Sequence, residues 1–274
     1  MKRELPILNI EGTDFLVDVK KFELREKGNP KNFIGLEDMR DLGDGYTFLF
    51  SQESKNLPSF RGRLESITVK IPEFVVLDPA GMAEKYKLKP DELAGKTDFD
   101  LMVDQKAVDL RVNNGLLPTI NIAGHSFYVD IRMDMLRPKD DFLSSGIRFS
   151  EIDNFYDEIR NAYFIPYDPK KHEYREIDYE TIKEIPKDLI VVSFPTAKTL
   201  DPIGWNRHHG FDALDGLKET GLKSHSKAKT ATWDDISVPL VIKENLERER
   251  KVQNNKPDIK SVEAKQKNTK GRKM

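Results

Sequence analysis

The sequence predicts an α+β protein made of two related β-rich repeats, each a hairpin-containing, mostly antiparallel sheet followed by a short helix, with a basic flexible C-terminal tail. Three observations carry this expectation. The stretch "LPILNIEGTDFLVDV" from Leu5 returns as "LPTINIAGHSFYVDI" from Leu117, with eight identities in fifteen residues and no gap, the mark of a repeated unit. Short apolar runs bounded by Gly or Pro read as strands. Each copy then closes on Leu-Asp-Pro-x-Gly, at 77–81 and 200–204.

Taken in order, "ILNI" and "FLVDV" flank a Gly-containing turn and read as a hairpin, with Phe15, Val17 and Val19 on one face. Further strands are expected at "YTFLF" (46–50) and "EFVVL" (73–77). Asp78 is placed to cap a helix and Pro79 to open it, over "AGMAEKYKL". Residues 98–116 read as one connecting helix stopped at Asn-Asn-Gly. The second copy repeats the pattern with Phe127, Val129 and Ile131, then "YFIPY" (163–167) and "DLIVVSF" (188–194), and again a cap at Asp201 before Pro202. Pro166 lacks an N–H for the ladder, so its strand is expected at an edge or a bulge. "VPLVIKENLERERK" suits a helix, and from Lys243 eleven Lys or Arg face five Asp or Glu. The domains so expected are 1–97, a connecting helix 98–116, a second lobe 117–224, and a C-terminal helix with a disordered basic tail over 225–274.

Composition narrows the function classes. Of 274 residues, 38% are hydrophobic and 34% charged, with a formal net charge of −2, so any electrostatic partner must be met by a local patch. The absence of cysteine excludes disulfides, thiolate metal sites and a cysteine nucleophile. No apolar run approaches the ~18 residues of a membrane span, and Glu11 and Asp14 interrupt any signal-like segment; a cytoplasmic setting without membrane contact is expected.

The five histidines show no HExxH or comparable helix-spaced pair, so neither a metal nor another cofactor is expected, although an assembled site from His125, His208 and Asp130 remains open. No G-x-S-x-G elbow exists, and Gly95-Lys96-Thr97 lacks the glycine a phosphate loop needs five residues earlier. Asp18 and Asp130 end matched strands and read as caps for backbone donors. Candidate binding residues come from two places. "RMDMLRP" supplies Arg132, Met133, Met135 and Arg137, suited to adaptable contact or, for the methionines, to a strand core. "DPIGWNRHHGFD" supplies Trp205, Arg207, His208 and His209, an aromatic and basic cluster, with Trp205 and Phe211 alternatively packing a helix onto the sheet. His125 joins them because the first copy has Thr13 there.

The phrases "LPTINIAGHSFYVDIRMDMLRPKDDF", "EIPKDLIVVSFPTAKTLDPIGWNR" and "LDPAGMAEKYKL" resemble an uncharacterised family of bacterial proteins, seen in gut anaerobes and often near mobile genetic elements. The resemblance implies a bacterial cytoplasmic setting and brings no activity or catalytic residues. On these grounds the chain reads as a non-enzymatic tandem-repeat interaction protein that binds a protein partner through a surface or a cleft between its lobes. Nucleic-acid binding through 243–274 is the alternative, and a metal-dependent hydrolase with a His/Asp site the second.

Overall fold

A computed structural model of the chain describes residues 3–59 and 65–254, and its fold is α+β with antiparallel sheets. The chain divides into two compact units. The first comprises the described residues to 120 together with 128–134 and 197–226; the second comprises 121–127, 135–196 and the described residues from 227.

The first unit opens with a meander of β1 (Ile7–Ile10), β2 (Thr13–Asp18), β3 (Glu23–Glu26) and β4 (Phe33–Gly35). A second sheet pairs β5 (Arg40–Asp41), β6 (Gly45–Phe50) and β7 (Ile67–Pro72) in that order. Alternation buries Phe15, Val17, Leu24, Tyr46 and Phe50, and each such side chain contributes about 1.5–3 kcal/mol of burial. The helices that follow are α1 (Phe74–Leu77), α2 (Pro79–Tyr86), α3 (Asp98–Met102) and α4 (Gln105–Val112). Two expectations fail here. "EFVVL" is not a strand: Pro72 ends β7, and the Asp98 carboxylate accepts the N–H groups of Phe74 and Val75, which starts a helical turn. Nor is 98–116 one helix, because the backbone turns extended at Val103 and Asp104, where the Asp104 side chain caps α4.

β8 (Thr119–Ile122), β9 (His125–Asp130), β10 (Met135–Pro138) and β11 (Ile147–Arg148) follow, and the boundary between the units runs through β8 and β9. With β16 (His225–Lys227) they form a sheet of order β11-β10-β9-β8-β16. The second unit continues through α5 (Phe149–Ile152), β12 (Tyr156–Asp157), β13 (Ala162–Asp168), β14 (Glu173–Tyr174) and β15 (Ile190–Pro195). The first unit then takes α6 (Ala197–Leu200), α7 (Pro202–His208) and α8 (Leu217–Thr220). β17 (Lys229–Ala231) and α9 (Val238–Asn254) end the described chain. Pro166 pairs Val191 of β15 in an unbroken register without a bulge, and on its other side β12 and β14 pair only 162–163 and 167–168 of β13, so Pro166 lies on a locally open edge of the strand. Its carbonyl accepts from Arg175 on the opposite side, so the missing N–H faces away from β15 and costs that ladder nothing. α9 docks through Asn245, whose amide donates to the carbonyls of Tyr179 and Ile182. The tail expected over 243–274 lies, from 255 onward, outside the described residues.

The segments 5–97 and 117–220 share part of a series, four strands, then further strands, then two helices that meet at Leu-Asp-Pro-x-Gly, but the turn Ile131–Met133 and β14 occur only in the second. Gly12 and Gly124 each donate N–H to an Asn side chain three residues earlier, at 3.1 Å. Val17 and Val129 each donate to the carbonyl of a proline, Pro6 or Pro118, at 2.9 Å. Phe15 meets Phe50 edge-on at 6.0 Å, and Phe127 meets Tyr167 edge-on at 6.5 Å. Asp78 and Asp201 cap α2 and α7, each accepting from the glycine three residues on at 2.9 Å, and each is clasped by an arginine, Arg3 or Arg111. A Cβ at Gly81 or Gly204 would collide with that capping carboxylate, so the close approach requires glycine.

Candidate binding pocket

α7 and the chain just beyond it wall a pocket of about 310 Å³ in the first unit, at the small end of ligand pockets. Pro202, Ile203, Gly204 and Asn206 are buried, which leaves the opposite face of this short helix outward. Trp205 is half-buried and Phe211 is 52% exposed; their rings lie nearly parallel with centroids 5.8 Å apart. His209 stacks on Trp205 at 4.0 Å and donates its Nδ1–H to the Trp205 carbonyl. Lys198 holds its ammonium 5.0 Å from the Trp205 ring centroid, a cation–π contact. The pocket is thus an aromatic wall with a cation at its edge.

Its inner polar groups are already satisfied. Lys218, 4% exposed, donates to Glu73 and Asp41 at 3.0 Å and to the Gly43 carbonyl at 3.1 Å, which uses all three ammonium protons. Burial alone would lower its pKa, but the bonds to Glu73 and Asp41 outweigh that and raise it. Tyr46 donates to Asp98 at 2.7 Å, and burial together with the Asp98 charge pushes the phenol far above its ordinary range. Asn206 donates to the Asp215 carbonyl at 2.8 Å. None of these groups is poised to exchange a proton near neutral pH. At the rim, Arg40 and Lys198 make no ion pair among the described residues, and Asp215 and Glu219 stand exposed beside them. The arrangement offers shape, stacking and charge, which is the chemistry of binding.

The second unit holds a different cluster. The imidazoles of His125 on β9 and His172 before β14 stack at 3.8 Å, 6° from parallel, and His172 Nδ1 lies 2.7 Å from Asp141. That bond holds the Asp141 carboxyl below its ordinary range. Nε2 of His125 and the hydroxyl of Tyr167 are buried without a partner, where each orphaned group costs about 1–3 kcal/mol. The similar segment 5–97 has neither group: Thr13 aligns with His125, and Phe50 meets Phe15 as Tyr167 meets Phe127. It ties the corresponding loops with Lys55 on Glu26 at 3.0 Å instead.

Burial, followed by the charge of His172, lowers the His125 pKa, against the smaller opposing pull of Asp141 and Asp140. The unfolded chain therefore binds the proton more readily, and stability is full above about 6.5 and falls as the pH drops below it. We expect the urea midpoint of the second unit to drop between pH 7.5 and 5.5, and His125→Thr to remove part of that drop. Equal pH dependence in the two proteins would show that His125 is not the sensor.

The sequence candidates disperse. Trp205 lines the pocket, while Arg207, His208 and His209 are exposed around it. Arg132 and Met133 occupy an exposed 3-10 turn of the first unit that starts at Ile131 with the Asp130 side chain as its cap, at 3.2 Å. Met135 is buried in β10 and Arg137 half-buried there, both in the second unit. Met133 and Met135 therefore do not form one stripe, because the left-handed residue Asp134 turns the chain between them. His125 faces His172 in the second unit, while His208 and His209 belong to the first. Among the described residues no group of three or more His, Asp or Glu side chains could hold a metal ion. No described helix is long and apolar enough to cross a membrane. Lys218, Lys198, Arg40 and Asp141 carry no signal in the sequence, since lone charges in a chain with 45 Lys or Arg and 47 Asp or Glu look alike. No family model, no curated protein and no solved structure matches the chain.

Proposed function

We propose that the chain is a non-enzymatic binding protein that receives a segment of a protein partner in the pocket walled by Trp205 and Phe211, in a bacterial cytoplasmic setting. The observation that carries this reading is the contrast inside one pocket. Its deep groups, Lys218, Tyr46 and Asn206, spend their hydrogen bonds on the fold, while its aromatic wall and the cations Lys198 and Arg40 are left to the outside. Exposed aromatics beside arginine and lysine are the composition of an interface core and its rim. A nucleic-acid reading rests on the basic residues of 243–274, of which only the α9 portion is described.

The test is selection of a random peptide display library on the purified chain and, in parallel, on Trp205→Ala. Recovery of a common peptide motif on the wild type, with about 30-fold weaker binding by the variant, supports the reading, since an aromatic anchor is worth about 2 kcal/mol. Failure to enrich any motif, or equal binding by both proteins, contradicts it.

A further inference from the structure

The loop between β10 and β11 in the second unit raises two large apolar side chains wholly into solvent: Phe142 is 93% exposed and Leu143 97%. Scattered single apolar residues on a surface need no explanation, but two adjacent ones on a braced tip do. The tip is held from several sides. Asp141 accepts the Leu143 N–H at 3.0 Å and bonds His172 at 2.7 Å. Ser144 Oγ donates to the His172 carbonyl, and Ser145 N–H to Glu173, both at 2.9 Å. Gly146 closes the loop at φ +76, where a Cβ would stand 2.6 Å from the Leu136 carbonyl. The first copy has "KGNPKN" (27–32) in this place, with no apolar tip.

We propose that the partner is a second copy of this chain, whose Phe142–Leu143 tip enters the pocket walled by Trp205 and Phe211. The inference rests on the reading of that pocket as a protein-binding site. A pocket of about 310 Å³ has room for side chains rather than for a folded element. Exposed Asp140 flanks the tip, and neither it nor the rim cations Lys198 and Arg40 is in an ion pair among the described residues, although Asp215 and Glu219 stand at the same rim, so the tip carries a carboxylate that those unpaired cations can receive. A tip and a pocket at different places on one chain make a heterologous contact, which closes into a ring or extends as an open chain of copies.

Sedimentation velocity of the full chain over a concentration series tests this. The wild type should sediment progressively faster with concentration. Phe142→Ser with Leu143→Ser, and separately Trp205→Ala, should each weaken association about 30-fold. Lys198→Glu should weaken it too, and Asp140→Lys should restore association to the Lys198→Glu chain; such charge-swap rescue is not open to a misfolded variant. A wild type that stays monomeric at every attainable concentration overturns the proposal, as does association that survives loss of the tip. Tip-dependent co-sedimentation with phosphatidylserine vesicles in place of self-association would also overturn it, in favour of a lipid anchor. If the wild type is monomeric yet still selects peptides through Trp205, this inference fails and the pocket reading stands; if it does neither, both fail.

Discussion

Replacing Asp98 with alanine is expected to lower the unfolding free energy of the first unit by about 3–5 kcal/mol, a large part of the ~5–15 kcal/mol a domain possesses. Asp98 is fully buried and accepts three hydrogen bonds: from the Tyr46 hydroxyl at 2.7 Å, the Phe74 N–H at 2.7 Å and the Val75 N–H at 2.8 Å. Alanine would strand a buried phenol and two amide groups at the start of α1. Asp98→Asn keeps an acceptor oxygen and should cost less. Urea unfolding of a Trp233→Phe background, in which Trp205 is the sole indole and reports on the first unit, measures it. A loss below about 1 kcal/mol would mean that α1 holds its place without the carboxylate.

The second large effect comes from one bond found in two settings. Arg111 clasps Asp201 through Nε and Nη2 at 2.8–3.1 Å, with side chains 12% and 0% exposed. Arg3 clasps Asp78 at 2.6–2.7 Å, but its own side chain is 30% exposed. Removing one member of a buried pair leaves an uncompensated charge, so Arg111→Met should cost about 3–5 kcal/mol. Water can reach the partner of Arg3, so Arg3→Met should cost about 1–2 kcal/mol. Urea midpoints of the two variants check the ordering, and equal losses would show that burial does not set the value of the clasp.

The hairpins were legible because a period of two and a Gly turn are local signals, and "ILNI" with "FLVDV" needs no distant partner to be read. The caps at Asp78 and Asp201 were legible for the same reason, since Asp-Pro states both the capping residue and the first helical position. The strand expected at "EFVVL" fails because its β-branched composition is overridden by the Asp98 carboxylate, 24 and 23 residues beyond the Phe74 and Val75 amides that it accepts from. Of the pocket, only Trp205 and its neighbours showed in the sequence. Its floor is assembled by Lys218 reaching Asp41 and Glu73, 177 and 145 residues away, and no spacing rule records such a meeting. The histidine cluster was half visible: His125 stood out as a difference between the copies, but its partners His172 and Asp141 sit in loops where the two copies also differ in length.

Trp205 walls the pocket proposed to receive a protein segment, while the charges beneath it serve the fold. The most direct measurement is the fluorescence of Trp205 in the Trp233→Phe chain, titrated with the strongest peptide recovered by selection. A saturable shift in its emission, with the same midpoint as binding measured by calorimetry, is the result expected. Binding that saturates in the calorimeter while Trp205 emission stays unchanged would place the partner elsewhere and contradict the account.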